Sequence, residues 1–346
     1  MSEPGWTAPP APSAPALRAV AEIGPFFAVR TDRPGPAGLR AEGYVPLVEL
    51  YATGPAGEPS PGAGAMPCGT ADQGDGAARG GDAVSGDGAT WGRDSTPGGA
   101  RAARVGYAGQ ASAADRWHAA PPALRHRYAT VARRLGTDEV RVAASLSFQG
   151  LAGRLWSLAV GCAVLTGHVP DLGPDRLWWH PEHSAPRELW LPTDARTPAA
   201  VGTPTAAGLG FVAPPPASDL AERVRAVVVD QHLTPLHRVA TAASGVSGAL
   251  LWGNAGSALA GALGVLRDWL RVAAREGRAD GDRWDEVTAR ERTLSRELFA
   301  TEPLRSTGHG SPHSRPPFRR TTCCLYYRVP GGGLCGDCVL PRVPAR

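Results

Sequence analysis

The stretch CCLYYRVPGGGLCGDCVL, residues 323–340, holds four of the six cysteines in a chain of 346 residues. The pattern is C-C-x10-C-x2-C, carried by Cys323, Cys324, Cys335 and Cys338. In a reducing compartment so tight a cluster signals metal or redox chemistry rather than disulfides, and bridging adjacent residues is strained. Two uses of four thiolates then compete. A structural zinc site usually spaces both pairs by two to four residues, and a directly adjacent pair suits tetrahedral zinc poorly. A 2Fe–2S cluster needs four thiolates shared two and two between its irons, which suits two pairs on opposite sides of a loop. The spacing favours iron–sulfur and leaves zinc open.

Such a site asks specific things of its backbone. Cys335–Gly336–Asp337–Cys338 reads as a turn, with Gly336 leaving the backbone free for a tight conformation. Neighbouring side chains in a strand point apart, so Cys323 and Cys324 can share a site only if the chain turns there. The segment VPGGG, residues 329–333, can swing the second pair back onto the first. Arg319, Arg320 and Arg328 flank the thiols; they are candidates for docking an anionic chelate or an acidic redox partner, against a plain reading as solvated surface arginines. Tyr326, Tyr327 and the backbone of residues 331–333 are candidate hydrogen-bond donors to the sulfurs. No other catalytic side chain stands out. Cys68 reads as incidental, Cys162 as a core residue, and His180 and His183 as exposed loop histidines rather than ligands.

The elements that must position this tail are mostly helical. Leu124, Tyr128, Val131 and Leu135 form one stripe of an amphipathic helix. A second helix is expected over residues 138–165, with Phe148, Leu151, Leu155, Ala159 and Cys162 inward. Ser218 reads as the N-cap of a helix with Leu220, Val224, Val227 and Val228 on its buried stripe, and further helices cover 235–270 and 286–299. Residues 44–51 alternate like a strand, and Leu177–Trp179 with Leu189–Leu191 read as a hairpin. The fold class is α+β, mainly helical, with a small antiparallel sheet or hairpin and a C-terminal cysteine-rich loop. Residues 1–16 are expected to be disordered, 17–51 to join the body, 52–112 to be a low-complexity disordered insertion, 113–318 to form the helical body, and 319–346 to bind the cluster.

Composition excludes less. The net charge is +4 and all 36 basic residues are arginine, which reads as genomic bias; no basic stripe with interleaved aromatics or nucleic-acid module appears. Residues 239–266 carry no charge, a run long enough to cross a bilayer. Its Ala, Gly, Ser, Thr and Asn content favours a buried helix, or two helices meeting near Gly253, over a membrane span. The N-terminal residues lack the pattern of a secretory signal, so the expected compartment is the cytoplasm.

RRTTCCLYYRVPGGGLCGDCVL resembles the C-terminal signature of FhuF-type ferric siderophore reductases, including the GDC tripeptide. Weaker similarity extends over RVAASLSFQGLAGRLWSLAVG, GHVPDL, the LWW/LWL pair and HLTPL…LLWGNAGSAL, resembling the body of actinobacterial members. The resemblance implies a 2Fe–2S cluster on Cys323, Cys324, Cys335 and Cys338. It also implies one-electron reduction of a ferric siderophore, with a hydroxamate type as one candidate, and a donor such as a ferredoxin or a flavin reductase. Two other readings stand beside it: a non-catalytic 2Fe–2S carrier or sensor, and a structural zinc-binding module.

Overall fold

Two segments of this chain are too long and too apolar to be stable unless most of their surface is covered. They become the central helices, α5 (Val140–Thr166) and α8 (Gly248–Arg275), lying against one another. The computed structural model describes residues 14–31, 35–51, 112–183, 189–192, 217–278, 281–310 and 317–344. In chain order around the central pair come α1 (Ala14–Ala21), α2 (Pro36–Ala41), α3 (Ala113–His118), α4 (Pro122–Leu135), α6 (Ala217–Arg225), α7 (Thr234–Ser244) and α9 (Gly281–Ala300). Phe148, Leu155, Trp156, Leu158 and Cys162 of α5 are fully buried; each large apolar side chain contributes about 1.5–3 kcal/mol when removed from water. Leu151 is only half-buried. Both central helices are long and apolar enough to span a membrane by length and composition, yet 67% and 56% of their most apolar windows are covered by the rest of the fold.

Among the described residues, four short strands complete the α+β architecture. β1 (Val45–Pro46) pairs antiparallel with β2 (Trp178–Trp179), matching Val45 to Trp179 and Pro46 to Trp178. On the other side, Trp178 and Trp190 exchange both backbone hydrogen bonds at 2.8 Å, so the expected hairpin exists as a single bridge. The expected strand over 44–51 shrinks to two residues. Pro46 has no N–H to extend a ladder, and Leu47–Leu50 coil into a 3-10 turn. β3 (Gly308–His309) pairs antiparallel with β4 (Arg319–Arg320), and β4 leads straight into the cysteines.

Several boundaries move. α1 begins at Ala14, and Ala16 and Leu17 are buried, so order starts before residue 17; residues 1–13 lie outside the described ones. The expected insertion 52–112 ends sooner, because Ser112 caps α3 in a reciprocal capping box with Asp115. Residues 52–111, with Cys68, lie outside the described residues. α6 is already helical at Ala217, ahead of Ser218. The break expected near Gly253 falls instead at Gly245, which ends α7 in the left-handed conformation.

Between α6 and α7 the helix continues through a π-helical stretch, Ala226–Leu233. A wider turn here relieves the clash that Pro235 would cause with the carbonyl one turn earlier. It also turns His232 fully inward, where Tyr51 Oη–H donates to Nδ1 and Nε2–H donates to the Leu172 carbonyl, both at 2.6 Å. Burial pushes His232 down to about 4 and raises Tyr51 above the phenolic range.

Candidate metal centre

The cysteine segment is seated on the two central helices through one buried side chain. Arg320 exposes none of its guanidinium. Nε and Nη2 donate to the two carboxylate oxygens of Asp337 at 3.2 Å each, Nη1 donates to Asn254 Oδ1 at 2.7 Å, and Nη2 also reaches Ser257 Oγ. Asn254 Nδ2 donates to the Ser145 carbonyl and hydroxyl at 2.9 Å. Ser145 Oγ–H in turn donates to the Cys324 carbonyl at 2.6 Å. A continuous polar network thus runs from α5 and α8 to both cysteine pairs. A planar fork with five donors suits this task in a way that a lysine ammonium does not.

Close approach to α8 depends on the absence of side chains. A methyl placed on Gly253 would sit 1.9 Å from Thr322 Oγ1, and one on Gly256 would sit 2.2 Å from Thr307 Oγ1. The residues before the first cysteine and before β3 therefore lie in a trough that only glycine leaves open. Thr322 Oγ1 is buried there without a hydrogen-bond partner among the described residues.

The backbone around the thiols turns twice. After Cys324, Leu325 takes φ 67°, a left-handed conformation costing a non-glycine residue about 1–2 kcal/mol, and a 3-10 turn follows over Tyr326–Arg328. The adjacent cysteines are thereby not held in an extended strand. In the second pair, Cys338 N–H donates to the Cys335 carbonyl at 3.1 Å and Arg319 Nε donates to the Cys338 carbonyl at 2.7 Å. Gly336 is not in a left-handed conformation, and open space surrounds it, so the turn does not need its freedom.

Two of the sulfurs, one from each pair, meet across the loop. Cys324 Sγ and Cys335 Sγ lie 3.7 Å apart, about the edge of a tetrahedron with metal–thiolate bonds of ~2.3 Å. Cys323 lies within electrostatic reach of Cys324 and Cys338. Among the described residues no three Cys, His, Asp or Glu side chains converge on a point able to hold a single ion. Backbone amides face the sulfurs: Leu325 N–H to Cys323 at 3.3 Å, Leu340 N–H to Cys338 at 3.4 Å, and Tyr326 N–H to Cys324. The donor set fits a thiolate-bound cluster, since soft sulfurs from the two pairs meet across the loop at Cys324 and Cys335 and N–H groups are aimed at Cys323, Cys324 and Cys338. One proton shared across the Cys324–Cys335 contact lowers the Cys324 thiol and pushes Cys335 up. Burial raises Asp337, but the bonds from Ser257 and Arg320 outweigh it and leave the carboxyl below its usual range.

Not every expected residue serves as expected. Arg320 cannot dock a partner in this fold, because it is spent on the internal network. Arg319 is exposed but also holds the Cys338 carbonyl. Arg328 Nε meets both Glu139 oxygens at 2.9 and 2.8 Å, tying the loop to the start of α5. The Gly332 amide is used on the Val329 carbonyl and does not face a sulfur. Cys162 is buried in α5 with its thiol pushed up to about 12, an inert core residue. His180, half-buried, and His183, exposed, stack at 3.8 Å beside Tyr44 and line a cavity of about 80 Å³ with Arg127 and Trp179, apart from the thiols. Sequence reading missed Asn254, Ser257 and Ser145. The available signal was GNAGS, a run of small and polar residues inside an otherwise apolar helix.

Residues 320–340 match the family model of the FhuF 2Fe–2S C-terminal domain. All four clustered cysteines fall inside the matched stretch, and the cofactor of such a domain is a 2Fe–2S cluster. The match suggests a siderophore-iron reductase-like role. No curated protein and no solved structure matches the chain.

Proposed function

We propose that this chain, carrying a FhuF-type 2Fe–2S domain at residues 320–340, is a cytoplasmic ferric-siderophore reductase with Cys323, Cys324, Cys335 and Cys338 as the ligands of its cluster. The observation that carries the reading is the family match over a segment in which the Cys324 and Cys335 sulfurs meet across the loop. When bound, the cluster supplies one electron at a time. One is enough, because ferric iron is held tightly by hard oxygen donors while the ferrous ion, less charged and softer, is held far more weakly. The chain's own residues do the positioning. Arg320 and Asp337 fix the second cysteine pair against α8, Ser145 fixes the first pair through the Cys324 carbonyl, and the amides of Leu325, Tyr326 and Leu340 favour negative charge on the sulfurs. Cys323 and Cys335 are half-exposed, which suits exchange of electrons with an external donor and a chelate.

The test is anaerobic mixing of chemically reduced protein with a ferric siderophore, following the visible absorbance and trapping released Fe(II). Reoxidation matched by Fe(II) release is expected. A coloured, reducible protein that no ferric chelate reoxidises removes the enzymatic reading, and a colourless zinc-bound protein removes the cluster as well.

A further inference from the structure

We propose that the groove between α8 and α9 is the seat of the ferric chelate, and that it selects chelates of net negative charge. This rests on the reductase reading and adds to it a binding site and a charge class.

The groove has a volume of about 840 Å³, within the roughly 300–1,000 Å³ of small-molecule sites, whereas the cavity beside His180 holds about 80 Å³. Four guanidinium groups line it: Arg267 and Arg271 from α8, Arg292 and Arg296 from α9. The first two share one exposed carboxylate, Asp268, at 3.9 and 2.8 Å. Arg292 and Arg296 are exposed and form no ion pair among the described residues. The single acid in the lining is Glu291, only 1% exposed, and burial pushes its carboxyl up to about 7 despite the nearby arginines. The groove therefore carries an excess of positive charge. Trp284 and Phe299 add aromatic faces to the wall, on which flat aromatic ligands can stack.

The groove also ends beside the cysteine segment. Phe299, in its wall, contacts Phe318 at a centroid distance of 5.3 Å. Phe318 directly precedes Arg319, whose Nε holds the Cys338 carbonyl. Along α8, Arg267 lies ten residues beyond Ser257 of the anchoring network, roughly 15 Å at 1.5 Å per residue.

Charge and shape together choose among chelates. Each catecholate brings two negative charges to the metal and each hydroxamate one, so a tris-catecholate complex stays anionic where a tris-hydroxamate is neutral. Catechol rings are also flat and aromatic. A cationic, aromatic-walled groove favours the first class.

The experiment uses the cluster-loaded protein and redox-inert gallium(III) complexes, so binding is read without turnover. Calorimetric titration with a gallium tris-catecholate should show saturable binding that weakens with salt. A gallium tris-hydroxamate should bind at least about tenfold more weakly. The Arg292→Ala/Arg296→Ala variant alters exposed side chains only, with folding checked by circular dichroism, and should lose about tenfold in affinity for the catecholate complex. Equal affinity for both chelates, or unchanged binding by the variant, overturns the assignment. Failure of the parent reading looks different. If the gallium complex binds in the groove but the ferric one never reoxidises reduced protein, the reductase reading falls and the groove stands. If reoxidation proceeds with an unchanged KM in the double variant, the groove falls and the reductase reading stands.

Discussion

Arg320 Nη1 and Asn254 Oδ1 lie 2.7 Å apart in the protein interior, fastening the residue three places before the first clustered cysteine to the second turn of the central helix α8. Buried charges are tolerated only when their partners are complete. The seating of the metal-binding tail and the satisfaction of this guanidinium are therefore one event.

Removing that guanidinium should unseat the tail. Arg320→Ala leaves Asp337 and the Asn254 oxygen without their donor, and loss of one partner of a buried pair costs about 3–5 kcal/mol. Asp337 keeps 20% of its side chain exposed, which places the expected cost at the lower end. Arg320→Lys keeps the charge but not the fork, and should recover only part of it. Urea unfolding and the yield of cluster-loaded protein measure both, and an Arg320→Lys protein equal to the parent would refute the geometry.

Gly253→Ala separates the tail from the body. Alanine favours the helix by about 1 kcal/mol, so α8 itself should not suffer. Its methyl, however, would meet Thr322 Oγ1 at 1.9 Å. Helical content should persist while cluster occupancy falls, and adding Thr322→Ala should restore part of the occupancy. Full occupancy in the single variant would contradict the close approach.

The thiols should divide cleanly. Cys335→Ser and Cys338→Ser are expected to lose the visible chromophore and keep most of the helix signal. Cys162→Ser should keep the chromophore and lose about 1–3 kcal/mol of stability, from burying a hydroxyl in an apolar place. Absorbance that survives both tail substitutions would show the ligand assignment to be wrong.

Acid should weaken the fold through His232. Its folded pKa of about 4 lies below the unfolded value of 6.5, so the unfolded chain binds the extra proton first. The contribution is complete above pH 6.5 and is lost as pH falls towards 4, about 3 kcal/mol in all. Glu291, raised to about 7 from 4.5, works in the opposite direction: its burial costs stability above pH 4.5 and the cost fades as it protonates. Comparing urea midpoints of the parent and His232→Gln from pH 7.5 to 4.5 isolates the histidine. The variant should show the smaller acid loss, and parallel curves would exclude this role.

Local signals carried well from sequence to structure. The stripe ending at Leu135 and the run over 138–165 became α4 and α5 because periodicity and length are properties of the segment itself. Cys324 and Cys335, one from each pair, met because their loop is short. What stayed hidden depends on distant partners. Arg320 looks like any flanking arginine until Asn254 and Asp337, 66 and 17 residues away, close around it. Gly253 reads as a helix breaker, yet it sits inside α8 because Thr322 needs its missing side chain. The groove joins residues of two helices and has no contiguous signature at all.

The trough along α8 is built from residues 253–257, while the strand and loop that fill it lie beyond residue 306 in chain order. During synthesis the ribosome releases the trough first, with the hydroxyl of Ser145 and the amide of Asn254 uncovered until translation reaches the tail. Maturation of the metal site thus waits on residues beyond 306, and the shorter nascent chain presents a bare, wettable slot where the folded protein has its anchor.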